Sequence, residues 1–257
     1  MRKTLSIFLS LLFLFTFPGA LSAIEIEEME GAKCSTGLRF SYERAQVKFA
    51  DDAGVEGLGN TFTFGALLLE LDLKISRNFI LEAVAGYGLT HFNDPVLVTR
   101  LPLSLDLEPE WNGSLVLGLV LKWQPFYWGN FSFHGNVEFI YVKQLTNEWD
   151  IRLPIVGGTA AEEHFFYQGT LDVLIQYDGF LGVTPFFGPQ FNMIKGRLTL
   201  FEEIGNISAR QELEYRQKNL LGVCAGARFE LGRHWEMAIR ANFLSRTYFS
   251  IEAFYLF

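Results

Sequence analysis

Hydrophobic and polar residues alternate along most of this chain with a period of two. That is the period of a strand, whose successive side chains point to opposite faces. In 61–74, Leu67, Leu69, Leu71 and Leu73 share one face while Glu70, Asp72 and Lys74 share the other. In 79–90, Leu81, Ala83, Ala85, Tyr87 and Leu89 oppose Glu82, Gly86 and Gly88. The same alternation predicts strands at 33–48, 111–123, 131–143, 165–177, 180–195, 219–231, 235–244 and 248–257, about ten in all. Eight or twelve follow if the proline-rich stretch 91–110 is read differently. In the first strand Leu38, Phe40 and Tyr42 oppose Arg39, Ser41 and Glu43, and the pattern changes face near Arg44. That change predicts a bulge or the strand's exit from an apolar layer. Pro185 and Pro189 predict bulges or weakly paired positions, because proline cannot donate to a strand ladder.

The connections alternate in length. Stretches 51–60, 91–110, 144–164 and 196–218 are long and read as loops. Stretches 76–78, 124–130, 178–179 and 232–234 are short and read as turns, and 245–247 is a short connection on the long-loop side. Trp123, Tyr127, Trp128, Tyr177, Trp235 and Phe257 gather at the turn side, with Tyr87, Trp111, Tyr141, Tyr167 and Tyr248 at the loop side. Two aromatic belts at opposite strand ends match the two interfaces of a bilayer.

Composition sharpens this picture. Hydrophobic residues make up 49% of 257, and the mean hydropathy is +0.18. Yet no segment after the N-terminus approaches the ~18 uninterrupted apolar residues of a spanning helix. At the N-terminus, Arg2 and Lys3 precede an apolar run at 7–17, then Pro18-Gly19 and small residues up to Ala23. This three-part pattern predicts a secretory signal peptide over 1–23, with a barrel over 24–257. An exported apolar chain without a spanning helix has one membrane solution, the closed antiparallel transmembrane β-barrel, which pairs every backbone group between strands. The net charge is −8, so no basic face is on offer for nucleic acid. Cys34 and Cys224 fall at different depths and predict no disulfide, and the four histidines show no zinc spacing. No cofactor motif is present.

The last strand, 248–257, sets Phe249, Ile251, Ala253, Tyr255 and Phe257 on one face and ends on an aromatic residue. This ending resembles the C-terminal assembly signal of bacterial outer-membrane β-barrel proteins, the small OmpA/opacity-like and porin-like barrels among them. The resemblance implies an all-β fold in the outer membrane. It also implies insertion by the barrel-assembly machinery reading Tyr255 and Phe257, and a bilayer and lipopolysaccharide as surroundings.

The inward face carries the candidate chemistry. Alternation directs Glu70, Asp72, Glu82, Glu138, Asp172, Glu230, Glu236 and Glu252 to the lumen, with Arg39, Lys74, Lys122, Arg228 and Arg240 as bases. Mixed signs in a narrow lumen predict a charge network of Glu70, Glu82, Glu138, Asp172, Arg228, Arg240 and Glu252 rather than a selectivity ring. A three-residue hairpin at 245–247 would set Arg240 opposite Glu252. The strand count is similar to that of the omptin surface proteases. His91 with Asp94, and His164 with Glu162, Glu163 and Asp150, could supply rim acids and histidines, but the omptin sequence around its catalytic residues is not visible. No catalytic or metal-ligating residue is assigned. The chain therefore reads as a non-enzymatic barrel acting through its long loops. A narrow passive pore and an outer-membrane hydrolase, omptin-like or lipid A-modifying, are the alternatives.

Overall fold

The computed structural model describes residues 34–50, 59–76, 78–92, 111–152, 157–204 and 207–257. The expected leader, the acidic stretch at 24–31 and most of the loops at 51–60 and 91–110 lie outside the described residues. Twelve strands account for nearly all of the rest. They are β1 (Cys34–Phe49), β2 (Gly59–Lys74), β3 (Phe79–Phe92), β4 (Asn112–Trp128), β5 (Phe131–Gln144), β6 (Asn147–Arg152), β7 (Gly157–Tyr177), β8 (Val183–Ile204), β9 (Ile207–Gln217), β10 (Leu221–Glu230), β11 (Trp235–Phe243) and β12 (Thr247–Leu256).

The sheet closes on itself. β12 pairs antiparallel with β1 from Ser35↔Leu256 to Arg44↔Thr247. The ring runs β1-β2-β3-β4-β5-β7-β8-β10-β11-β12, ten strands, each antiparallel to its neighbours. β6 and β9 lie outside this ring: β6 pairs with the start of β7, and β9 with the end of β8 and the end of β1.

These two strands, with the extensions of β7 and β8, occupy stretches 144–164 and 196–218, where the sequence pattern predicts loops. Along the end of β8 and along β9 the alternation continues with its polarity reversed. Leu198, Leu200, Leu213 and Tyr215 are buried, while Glu212, Glu214 and Arg216 are exposed. β1 shows the same reversal in one strand. Burial alternates without a break from Leu38 to Phe49, so there is no bulge at Arg44. Instead the inward face passes from Arg39, Ser41 and Glu43 to Ala45, Val47 and Phe49, and the outward face from Leu38 and Phe40 to Arg44, Gln46 and Lys48. The wall leaves an apolar surrounding and continues as a crown in water.

The apolar surrounding is marked by an exposed belt. Leu67, Leu69, Leu117 and Leu119 are each more than half exposed, at 58, 59, 59 and 55%. On β3 the belt runs from Phe79 to Leu89; on a strand tilted by about 40° this climbs roughly 25 Å, the height of the apolar band on transmembrane barrels.

Local irregularities fall where the residues demand them. β4 runs past the expected turn at 124–130 to Trp128, with a register shift between Trp123 and Phe126, and Gly129 supplies the positive φ of 59° that the tight turn needs. β7–β8 pairing lapses between Asp172↔Gln190 and Ile175↔Phe187, the stretch holding Pro189, whereas Pro185 keeps its register opposite Ala227.

The ring also changes strand number with height. The β11–β12 hairpin turns back at 244–246, well below the top of the crown, with Leu244 at φ 74°. β8 carries β10 as far as Phe191↔Leu221 and then β9 from Lys195↔Arg216. β1 carries β12 as far as Arg44↔Thr247 and then β9 from Val47↔Gln217. Above the hairpin, β9 alone replaces β10, β11 and β12, so the ring of ten becomes a ring of eight. Gln217 fastens the junction: its Nε2 donates to Ser245 O at 3.0 Å, and its Oε1 accepts from Asn192 Nδ2 at 2.7 Å.

Because Leu69 lies near mid-belt, Leu69→Arg should destabilise the barrel in bilayers by roughly 2–4 kcal/mol, measured by reversible denaturant unfolding. The same change at Gln46, in the crown, should have little effect.

Candidate functional site

The lumen holds the candidate chemistry, and it is filled in tiers. In the lower tier Arg39 is the hub. Its Nη2 lies 2.7 Å from Glu82 Oε1, its Nη1 2.6 Å from Glu138 Oε1, and its Nε 3.4 Å from Glu252 Oε1, and Nε also contacts Glu70 Oε1. Four strands, β2, β3, β5 and β12, thus send a carboxylate to one guanidinium on β1. Its side chain is 7% exposed, and those of Glu70 and Glu82 are 0% exposed. Lys122 extends the cluster toward the short-turn end, 2.5 Å from Glu82 Oε2 and 3.3 Å from Asp72 Oδ1, with its ammonium 5.2 Å from the Phe254 ring centroid. A guanidinium suits this position because its planar fork presents five N–H donors to several acceptors at once.

A second group sits beside and above it. Arg240 Nη2 pairs with Asp172 Oδ2, whose Oδ1 accepts from Gln190 Nε2 at 2.8 Å. Nearer the crown, Arg246 Nη1 lies 2.7 Å from Glu43 Oε2, with both side chains at most 2% exposed, and its guanidinium is 4.7 Å from the Tyr248 ring centroid. Above this pair the filling turns apolar. Phe49, Phe62, Phe64, Phe92 and Phe166 pack with ring centroids 4.9–6.0 Å apart. His164 and Tyr215 stand among them, hydrogen-bonded at 2.6 Å between Nε2 and the hydroxyl. An eight-strand ring has an interior just wide enough for side chains to fill, and here they fill it.

Of the charges assigned to the lumen network, Glu70, Glu82, Glu138 and Glu252 meet at Arg39, and Asp172 meets Arg240. Arg228 stands apart, near the short-turn end, 2.7 Å from Glu236. Lys74 closes the end of β2 and is exposed. The expected Arg240–Glu252 pair is not formed. Arg240 lies opposite Ser250, and Glu252 opposite Ala238 on one side and Arg39 on the other. The hairpin is longer than three residues: its ladder ends at Asn242↔Tyr248, and Ser245 N donates to Phe243 O within the connection. The register is therefore two residues away from the expected one.

Arg246, expected in a turn, is a buried lumen residue. Its neighbours Ser245 and Thr247 suit a loop, so no local signal sets it apart. His164, expected in a rim loop, lies on β7 at 2% exposure inside the aromatic tier. Glu162 accepts from Asn112 Nδ2 at 3.5 Å, Glu163 lies on the outward face of β7, and the Asp150 side chain is outside the described set. His91 stacks on Trp111 at 4.9 Å between ring centroids, and Asp94 lies outside the described residues. At the other end of the barrel, Tyr255 packs edge-on against Trp235 at 5.2 Å and Phe257 at 5.1 Å, while Phe257 N donates to Cys34 O at 3.3 Å. The two C-terminal aromatics thus lie at the closing seam of the ring.

A closed antiparallel ring, a lipid-height apolar belt, short turns at one end, long connections at the other and a polar filled lumen define a transmembrane β-barrel of the outer-membrane type. No family model and no curated protein matches the sequence. Among solved structures the chain is similar to the translocator domain of the autotransporter NalP from Neisseria meningitidis, at 11% identity, a TM-score of 0.45 and 90% of each chain covered. It is similar to the outer membrane protease OmpT from Escherichia coli at 8% identity and a TM-score of 0.45, covering 89% of this chain and 97% of that one. It is similar to the outer membrane protein OprG from Pseudomonas aeruginosa at 11% identity and a TM-score of 0.41, covering 88% and 96%. The class assignment rests on the chain's own geometry.

Two predictions concern this site. Arg39→Ala leaves several buried carboxylates without their shared cation and should destabilise the barrel by about 3–5 kcal/mol, whereas Arg228→Ala should cost little; equilibrium unfolding measures both. The second concerns His164, which lies above the belt. Burial pushes its pKa down from 6.5 to about 3, since the apolar surroundings disfavour the imidazolium. The unfolded chain then binds a proton that the folded chain refuses, so this contribution to stability is complete above about pH 6.5 and declines as pH falls toward 3. The fall in unfolding midpoint across that window should be smaller in His164→Phe than in the parent.

Proposed function

We propose that this chain is a non-enzymatic barrel of the bacterial outer membrane that acts at the cell surface through its crown and long connections. The observation that supports this most is the filled lumen: a buried ion network through the belt, then an aromatic tier in the narrower eight-strand ring. A barrel closed at two levels has its accessible chemistry outside the lumen. The crown, built from the ends of β7 and β8 with β6 and β9, offers that outside surface. Tyr255 and Phe257, at the closing seam, are the groups that the barrel-assembly machinery would read on insertion. Lipopolysaccharide is the lipid that the crown would border. A rim hydrolase has less support, because His164 is held in the apolar tier.

Conductance of the refolded barrel in a planar bilayer, with folding checked by heat-modifiable gel mobility, tests this reading. A silent, folded barrel is the expected result. Discrete steps that change in Asp172→Ala or Arg240→Ala would replace it with a narrow solute path through the charged lumen.

A further inference from the structure

The outward face changes character just above the belt on three adjacent strands. On β1, Tyr42 gives way to Arg44 and then, past Gln46, to Lys48; on β8, Met193 gives way to Lys195; the outward face of β9 closes with Arg216, and Lys218 follows the strand. The register sets Arg216 directly between Lys195 on one neighbour and Lys48 on the other. The Lys218 backbone donates to Gln46 O at 2.9 Å, which brings Lys218 down beside the Arg44 end of the row. Like charges directly opposite each other across strands oppose pairing, and here three cations stand in one row.

Among the described residues the acid Glu214 reaches this collar, and Lys48 has a partner of its own. Glu214 Oε2 is 3.7 Å from Lys195 Nζ, but its Oε1 is held at 2.9 Å by Arg197 Nη2, one step higher on the crown. Arg197 and Lys195 hold its pKa below the usual carboxylate value, so it stays ionised and already engaged. Arg44, Arg216 and Lys218 make no ion pair among the described residues. The collar is a local concentration of positive charge on a chain whose net charge is −8. Immediately below it the wall is apolar, with Leu221 and Leu244 at 75 and 76% exposure and Phe243 at 52%.

We infer that Arg44, Lys48, Lys195, Arg216 and Lys218 seat the headgroup phosphate of a lipid in the leaflet bordering the crown, with its acyl chains against Leu221, Phe243 and Leu244. The inference rests on the proposed placement in the outer membrane with the crown outward. The collar stands at the level where lipid phosphates lie relative to a tyrosine girdle, and the apolar wall below meets the need of the same ligand's tails. A bound phosphate offsets the repulsion within the row, and a lipid presents that phosphate from the bilayer itself.

The test uses the full-length barrel refolded into phosphatidylcholine vesicles that also contain lipid A, a phosphorylated glycolipid, or its dephosphorylated form. Lipid retained on the protein after gentle detergent extraction is measured by native mass spectrometry. Retention of the phosphorylated form is expected. Its apparent affinity should fall about five-fold for each cation removed, so roughly a hundred-fold in Lys195→Gln/Arg216→Gln/Lys218→Gln. Arg44→Gln/Lys48→Gln, on the other side of the collar, should lower it in the same way and serves where the triple variant folds poorly. Arg210→Gln, higher on β9 and 2.7 Å from Glu212, should leave it unchanged. Equal retention of the dephosphorylated lipid, or undiminished retention in the folded collar variants, would overturn the collar while leaving the barrel assignment intact. Failure of the parent protein to insert and show heat-modifiable mobility would overturn the membrane placement and the collar with it.

Discussion

Inside hydrocarbon an unpaired backbone N–H or C=O has no water to turn to, and this one constraint organises the molecule. A sheet meets it only by having no edge. The pairing of β12 with β1 is therefore the contact on which the other strands depend, and it runs from Ser35↔Leu256 to Arg44↔Thr247 without interruption. Closure fixes which faces look inward. It thereby brings Arg39 on β1 within reach of carboxylates from strands that are distant in sequence, Glu138 on β5 among them.

The two halves of the wall obey one rule under two surroundings. Where the outside is lipid, leucines and aromatics face out, and the polar residues that a strand's alternation forces inward must satisfy one another. A buried charge is costly unless paired, and the shared guanidinium of Arg39 meets that demand for several acids at once. Where the outside is water the assignment reverses: Arg197, Glu212 and Glu214 pair on the outer surface, and phenylalanines close the inside. The reversal within β1, at Tyr42 to Arg44, shows one strand passing from the first regime to the second.

The belt strands were legible in the sequence because a lipid-facing strand shows an apolar outer face, as with Leu67, Leu69, Leu71 and Leu73. The crown strands show the same period with the apolar set turned inward and charges turned outward. Searching for lipid faces passes over Leu198, Leu200, Leu213 and Tyr215. Inward charges were also legible one strand at a time, since period two assigns Glu70, Glu82 and Glu252 to the lumen. What meets what across the lumen was not. Arg240 finds its counter-ion in Asp172 on β7 rather than in Glu252 of its own hairpin, because register and barrel closure are global properties. Arg246 was hidden for a simpler reason: between Ser245 and Thr247 it has the look of a solvated turn residue.

The early return of the β11–β12 hairpin has a consequence for the calibre of the molecule. In most barrels the bore is one quantity, set by a single strand count. Here it is a profile along the axis, wide where ten strands stand side by side and narrow where β9 stands in for three. The neck owes its tightness to the length of a hairpin that never reaches it. Calibre at one height is thus decided by the chain at another, so lengthening or shortening a connection can regrade the vessel without touching the residues that line its throat.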